Sequence, residues 1–321
     1  MNWDTSQLTA LVRAALDEDL GLTASDHRRG SSDLTSVSIV PASESARARI
    51  LARQEMVVAG LPLAERVFRE LDPAIRFHAE FEEGADVSAG AVLAELKGRA
   101  RAILTGERTA LNLLGRLCGI AGETRRFVEA IAGTRARIRD TRKTTPLLRA
   151  LEKYAVRAGG GCNHRFGLYD AILIKENHIT VAGSVAEALR RARNAPAGSQ
   201  VPESGEPPEP REMTAYESFQ PPNSPAAPSI QVEVRHEKEL REALAAGAEA
   251  VLLDNVSPGE VARLVRLVQS LAAMCVVEVS GGVTLANVRD YAESGCDFIA
   301  IGALTHSAPA ADLSLLIETR P

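Results

Sequence analysis

Residues 250–280 read AVLLDNVSPGEVARLVRLVQSLAAMCVVEVS, two short apolar runs, AVLLD and CVVEVS, on either side of a helical pattern. Strands that alternate with helices predict a parallel sheet, because the chain must cross over before it can pair again in the same direction. The alternation extends outward from this stretch to ARIRD at 136–140, AILIK at 171–175, IQVEV at 230–234 and FIAIG at 298–302. The ends of the six runs lie 35, 59, 20, 26 and 22 residues apart, so one interval is long. Residues 195–229 account for it: without these 35 residues, 59 falls to 24. They hold nine of the sixteen prolines and five Glu against one Arg, which predicts a flexible or disordered insertion. The insertion follows a helical SVAEALRRARN and precedes a strand, which in a βα barrel places it on the face opposite the active site.

The first 110 or so residues read differently. A helix from Thr9 to Leu20, strand-like RARILAR, IRFHAEF and AVLAELKG, and a helical LPLAERVFREL predict a separate α+β layer. ERTALNLLGRLCGIAGETRRFVEAI then predicts a long helix, with Gly119 or Gly122 as the place for a break. At 321 residues, 45% hydrophobic and 25% charged, the chain can bury a sizeable core in two domains. No apolar run approaches the roughly 20 residues that a membrane span needs. The four cysteines form no CxxC pair, and the N-terminal stretch lacks an export signal, so a reducing cytoplasm is the expected setting.

The net charge of −5 is unevenly spread. Residues 135–175 carry ten Arg and Lys against three acids, a local excess of +7 that attracts anions. Only five basic residues of the chain are lysines, and three of them, Lys143, Lys153 and Lys175, fall within these residues. In a parallel βα barrel the chemistry sits at the C-terminal ends of the strands. There the sequence places Asp140 with Arg142 and Lys143, then Lys175, Glu233, Asp254, and Glu278 followed by Ser280, Gly281 and Gly282. The SGG turn before a helical TLANVRDYAES, with Gly302 on the neighbouring strand, offers backbone N–H groups and a helix N-terminus to a phosphate. Arginine forks suit carboxylates, whereas lysine is a point charge suited to phosphate or pyrophosphate. Arg142, Arg165, Lys143 and Lys175, with His164 beside them, therefore point to an anion bearing both kinds of group. Glu233 and Asp254 amid so much positive charge suggest ribose hydroxyls or a hard divalent cation.

The block DTRKTTPLLRALEKYAVRAGGGCNHRFGLYDAILIKENHI at 140–179 resembles the quinolinate phosphoribosyltransferase family, as do ERTALNLLGRLCGIA, VEVR at 232–235, LLDNVSP at 252–258 and EVSGGVT at 278–284. With the six strand runs, the resemblance implies an α/β protein: an incomplete parallel βα barrel of about six strands with an N-terminal α+β sandwich domain. Expected boundaries are 1–116 for the N-terminal domain, 117–305 for the barrel and 306–321 for a segment returning toward the N-terminal domain. The activity it implies is phosphoribosyl transfer from 5-phosphoribosyl 1-pyrophosphate to quinolinate with decarboxylation, giving nicotinate mononucleotide for NAD biosynthesis.

Carried over residue by residue, the resemblance implies that Arg142, His164 and Arg165 hold the two carboxylates of quinolinate, with Lys143 and Lys175 near the substrates. Glu233 and Asp254 would hold ribose hydroxyls and Mg2+, with Lys143, Glu233 and Asp254 carrying the catalysis. Ser280, Gly281, Gly282 and Gly302 would receive the 5-phosphate. Arg108 would enter the site of a neighbouring subunit, making the protein a homodimer or higher oligomer that binds neither nucleic acid nor membrane. Two positions depart from the family pattern: Leu147 stands where a glycine is usual, and Ser32 replaces the glycine before DLTS. Competing readings are a molybdenum-associated pyrophosphorylase of the same fold, a Schiff-base barrel lyase using Lys175 or Lys143, and a sensor that binds a pyridine dicarboxylate without turnover.

Overall fold

The computed structural model describes residues 3, 5–22, 33–194, 230–272 and 274–318, so the insertion at 195–229 and the departure at Ser32 lie outside the described residues. In chain order the elements are α1 (Ser6–Leu20), α2 (Leu34–Ile39), β1 (Ser45–Ala52), β2 (Met56–Val57), α3 (Leu61–Leu71), β3 (Arg76–Ala79), β4 (Asp86–Val87), β5 (Val92–Arg99) and α4 (Ala100–Ala130). There follow β6 (Arg137–Arg139), α5 (Arg149–Ala158), β7 (Ile172–Ile174), α6 (Glu176–Ala182), α7 (Val185–Asn194), β8 (Ile230–Val234), α8 (Glu237–Ala245) and β9 (Ala250–Asp254). The chain ends with α9 (Pro258–Leu271), β10 (Val276–Ser280), α10 (Val288–Glu293), β11 (Phe298–Ala300), α11 (Ala303–His306) and β12 (Leu313–Glu318). These group into two compact units, one of residues up to Glu123 with Arg157–Gly160 and the stretch from Ala308, the other of Thr124–Val156 and Gly161–Ser307.

In the first unit an antiparallel sheet has the order β12-β1-β5-β3. Its strands alternate: Ala48, Ile50 and Ala52 of β1 are buried while Arg47 and Arg49 point the other way, the pattern of a sheet with one covered face. Thr5 caps α1 by accepting from the Leu8 N–H at 3.2 Å, and Leu8, Val12 and Leu16 recur at helical spacing on its buried side. The long helix α4 is continuous, contrary to the expected break at Gly119 or Gly122. A Cβ on Gly119 would sit 1.9 Å from the Pro309 carbonyl oxygen, and one on Gly115 would sit 2.8 Å from that of Ala311. At Gly115 and Gly119, therefore, the glycines serve the close approach of the C-terminal segment, and their helical penalty of about 1 kcal/mol each is not enough to open the backbone.

The second unit contains all six strands expected from the apolar runs, in one parallel sheet ordered β6-β11-β10-β9-β8-β7. It is an incomplete barrel, with Cys162 bridging to Arg139 beside β6. Ala250 through Leu253 of β9 are all buried, the continuous apolar run of a strand covered on both faces. Pro258 opens α9, where its missing N–H costs no hydrogen bond, and Val261, Leu264, Val265 and Val268 form the buried stripe. Between β10 and α10 the helix expected directly after SGG begins only at Val288. The intervening turn is held by Asn287, whose side chain accepts from Thr284 N at 2.7 Å and donates to the Gly282 carbonyl at 3.0 Å. That competing side-chain bond delays the helix.

Candidate active site

At the C-terminal ends of the strands in the second unit lies a cavity of about 710 Å³. Lining it are Arg142, Lys143, His164, Arg165, Lys175, Glu233, Asp254, Ser280, Gly281, Gly282 and Gly302, so eleven of the twelve site residues that the resemblance implies come together. The twelfth, Arg108, lies exposed on α4 of the first unit and is not among the lining residues.

Each element delivers its side chain for a local reason. Lys175 sits at the boundary of β7 and α6, and its ammonium lies 2.5 Å from Glu233 at the end of β8. Asp254 ends β9 and accepts from the Asn255 side chain at 2.7 Å. Asn255 has a φ of 56°, and its N–H donates to the Ser280 carbonyl at 2.8 Å, tying the ends of β9 and β10 together. Gly281 has a φ of 92°, and a Cβ there would lie 2.3 Å from Asn255 Oδ1, so both its conformation and its surroundings exclude a side chain. The phosphate cradle expected at SGG is therefore a backbone turn, without the helix N-terminus assigned to it. On the other side Thr305 donates to the Lys143 carbonyl at 2.8 Å, and a Cβ on Gly302 would lie 3.0 Å from Lys143 Cδ.

Not every charged strand end faces the cavity. Asp140 is fully buried and does not line it; Glu278 does line it, but its side chain is withdrawn from solvent and accepts from Arg139 at 2.6 Å and from the Gln231 side chain at 3.2 Å. Arg139 lies over the Phe298 ring at 3.8 Å. The +7 of residues 135–175 thus overstates the charge available to a ligand, because Arg139 and Lys153 are consumed by buried carboxylates and Arg135 pairs with Asp297. What remains at the cavity is Arg142, Lys143, Arg165 and Lys175. Arg142 Nε is buried with no hydrogen-bond partner among the described residues, an orphaned donor of the kind a bound carboxylate would satisfy.

His164 reaches the cavity with both ring nitrogens engaged. Nδ1 accepts from the Arg165 N–H at 2.6 Å, which leaves the proton on Nε2, 3.2 Å from Gln231 Oε1 and 3.4 Å from Glu278 Oε1. Burial pushes its pKa below that of ordinary imidazole, against the attraction of Glu278. Burial also lowers the Arg165 pKa, and the neighbouring Arg142 charge adds to that effect. The sequence reading missed Arg139, Gln231 and His306, the last also lining the cavity. A single Gln in a strand or His in a short helix carries no periodic signal, although Lys153 stood out as one of the few lysines.

Glu233 and Asp254 stand on adjacent strands at the same cavity, and no group of three or more metal-ligating side chains exists among the described residues. That donor set does not make a closed cage. It fits a hard cation that takes its remaining ligands from substrate phosphates and water.

A family model described as "Quinolinate phosphoribosyl transferase, C-terminal domain" matches residues 120–202 and 213–316, and its N-terminal counterpart matches 33–118. The chain belongs to the quinolinate phosphoribosyl transferase family. Among its relatives is a "Probable nicotinate-nucleotide pyrophosphorylase [carboxylating]" of Bacillus subtilis, 42% identical over 286 residues that cover 89% of this chain and 88% of the relative. The Mycobacterium leprae nicotinate-nucleotide pyrophosphorylase [carboxylating] is 38% identical, with 95% of each chain covered. Among solved structures of the family, the nicotinate-nucleotide pyrophosphorylase from Francisella tularensis superposes with a TM-score of 0.80 at 35% identity, covering 97% of this chain and 96% of that one.

Proposed function

We propose that this protein transfers the phosphoribosyl group of 5-phosphoribosyl 1-pyrophosphate to quinolinate with loss of carbon dioxide, forming nicotinate mononucleotide and pyrophosphate. Membership of the family supports the activity, and the observation that carries it to this chain is the cavity, where four cations face the carboxylates of Glu233, Asp254 and Glu278. No helix among the described residues is long and apolar enough to cross a membrane.

In this reading the guanidinium groups of Arg142 and Arg165 fork onto the two carboxylates and aim the ring nitrogen at the anomeric carbon. His164, neutral and with both ring nitrogens engaged, positions Arg165 through its backbone N–H instead of adding a charge. Ser280, Gly281, Gly282 and Gly302 present backbone donors to the 5-phosphate. Glu233 and Asp254 stabilise positive charge that develops on the ribose, while Lys143 and Lys175 draw the departing pyrophosphate. Magnesium, held by Glu233 and Asp254 together with substrate oxygens, would neutralise charge on the phosphates. After ribosylation the pyridinium ring can itself accept the electron pair left by decarboxylation, so no separate electron sink is needed. Arg108, exposed on α4, is proposed to complete the cavity of a second subunit in a homodimer.

The molybdenum-associated pyrophosphorylase, the Schiff-base lyase and the sensor are not favoured, since the relatives carry the carboxylating name. Product analysis tests the reading. With phosphoribosyl pyrophosphate and magnesium, quinolinate should yield nicotinate mononucleotide and carbon dioxide while nicotinate yields nothing. Turnover of nicotinate, or silence with both acids from folded protein, would overturn it.

A further inference from the structure

Beneath the cavity floor lies a buried ion pair that the transfer reaction does not use. Asp140 is wholly buried at the end of β6, and Lys153, 2% exposed on α5, donates to its Oδ1 at 2.6 Å. Neither residue lines the cavity, so neither touches substrate. Their partners explain where the pair acts. Lys153 Nζ also donates to the His164 carbonyl at 2.9 Å, and the His164 N–H donates to Asp140 Oδ1 at 2.7 Å. The Asn163 side-chain amide, in the orientation its surroundings require, donates to Asp140 Oδ2 at 3.1 Å and to the Lys153 carbonyl at 3.0 Å. From Asp140 the chain runs directly into Arg142 and Lys143, and from Asn163 into His164 and Arg165.

We propose that Asp140 and Lys153 are a positioning pair that fixes the two basic segments, 141–143 and 163–165, against each other so that their arginines converge on one dicarboxylate. The proposal rests on the transfer reading for the identity of that ligand. Three physical arguments support it. First, the segments carry like charges, and Arg142 already disfavours the charged form of Arg165, so they repel unless something joins them. Second, the joint is electrically neutral. Lys153 cancels the Asp140 carboxylate, which otherwise would compete with a substrate for the same arginines. Third, burying two ions is a poor way to gain stability: desolvation pushes the Asp140 pKa up to about 6 and the Lys153 pKa down, each against the attraction of its partner. A pair that contributes little net stability, yet engages both the N–H and the carbonyl of His164 from the residue that leads into 141–143, is suited to geometry. Arg149 ties the same segments farther out, donating to Thr144 Oγ1 at 3.0 Å and to the Phe166 carbonyl at 3.1 Å, so the fold does not depend on the buried pair alone.

The test compares Lys153→Met with the double variant Asp140→Asn plus Lys153→Met. The single variant strands a buried carboxylate and should lower the melting temperature; the double variant removes that charge and should restore it. Positioning requires that the KM for quinolinate stay elevated by about ten-fold or more in the double variant, with the KM for phosphoribosyl pyrophosphate within about three-fold of wild type. A double variant that recovers stability and the quinolinate KM together would reduce the pair to a structural element and overturn the proposal. If the single variant does not fold, the double variant carries the comparison. Amide hydrogen exchange supplies a readout independent of turnover: residues 163–165 should exchange faster in the double variant while β8, β9 and β10 keep their protection, and unchanged exchange would also overturn the proposal. Wild-type protein that makes no nicotinate mononucleotide would defeat the transfer reading, and the exchange experiment would still decide the pair.

Discussion

The cavity wall and the layer beneath it use the same residue types to opposite ends. Below, Arg139 meets Glu278, whose carboxylate reaches up to the cavity, at 2.6 Å and Lys153 meets Asp140 at 2.6 Å, and all four side chains are almost completely withdrawn from solvent. Above, Lys175 is half exposed beside Glu233, and Arg142, Lys143 and Arg165 line the open cavity. Buried charges must find partners within the chain, because water is not there to solvate them. Charges at the wall are solvated while they wait, so they can be left for a substrate to neutralise. A count of basic residues in the sequence cannot separate these two populations.

The largest expected effect breaks the lower layer. Arg139→Met leaves Glu278 buried without its guanidinium and should cost about 3–5 kcal/mol in urea unfolding. A loss below about 1 kcal/mol would mean that the lower layer is no more interdependent than a surface pair. The wall should respond in the other way. Arg142→Ala should alter unfolding stability by no more than about 0.5 kcal/mol, since it also relieves repulsion with Arg165. Its kcat/KM for quinolinate should nevertheless fall about ten- to a hundred-fold, the worth of a charge-assisted hydrogen bond. Intact turnover in that variant would remove Arg142 from the substrate.

The smallest effect sharpens the boundary between the layers, where His164 sits. Its pKa is lowered in the folded protein, so on acidification the unfolded chain takes up this proton first. The unfolded state therefore binds more protons over this window, and stability falls as pH drops through the ordinary imidazole value of about 6.5 toward the lower folded value. Asp140, raised to about 6, works in the opposite direction, losing stability as pH rises toward that value. Comparing wild type with His164→Gln cancels the Asp140 contribution. The wild-type curve should drop more steeply between about pH 7 and pH 6, and parallel curves would place His164 in the solvated wall rather than at the buried edge.

Much of the fold was legible in the sequence for a plain reason. Apolar runs such as AVLLD and CVVEVS report local backbone and burial together, and each became a strand of the parallel sheet. The unbroken α4 was not legible, because Gly119 reads locally as a breaker and only its approach to Pro309 explains it. Leu147 shows the converse. The departure from glycine was visible in the chain, and the structure places it at a φ of 68° and 91% exposed, a conformation that costs a leucine about 1–2 kcal/mol.

The candidate site divides along the same line. The sequence by itself determined which residues stand at strand ends, since the spacing of six apolar runs sets the positions of Lys175, Glu233, Asp254 and Ser280. Only the tertiary structure decided which charges are spent and which are available. Lys153 finds Asp140 across 13 residues, Lys175 finds Glu233 across 58, and Arg139 finds Glu278 across 139. Periodicity is a property of neighbouring residues along the chain, whereas neutralisation depends on proximity in space, and that is set when the sheet brings distant strands together.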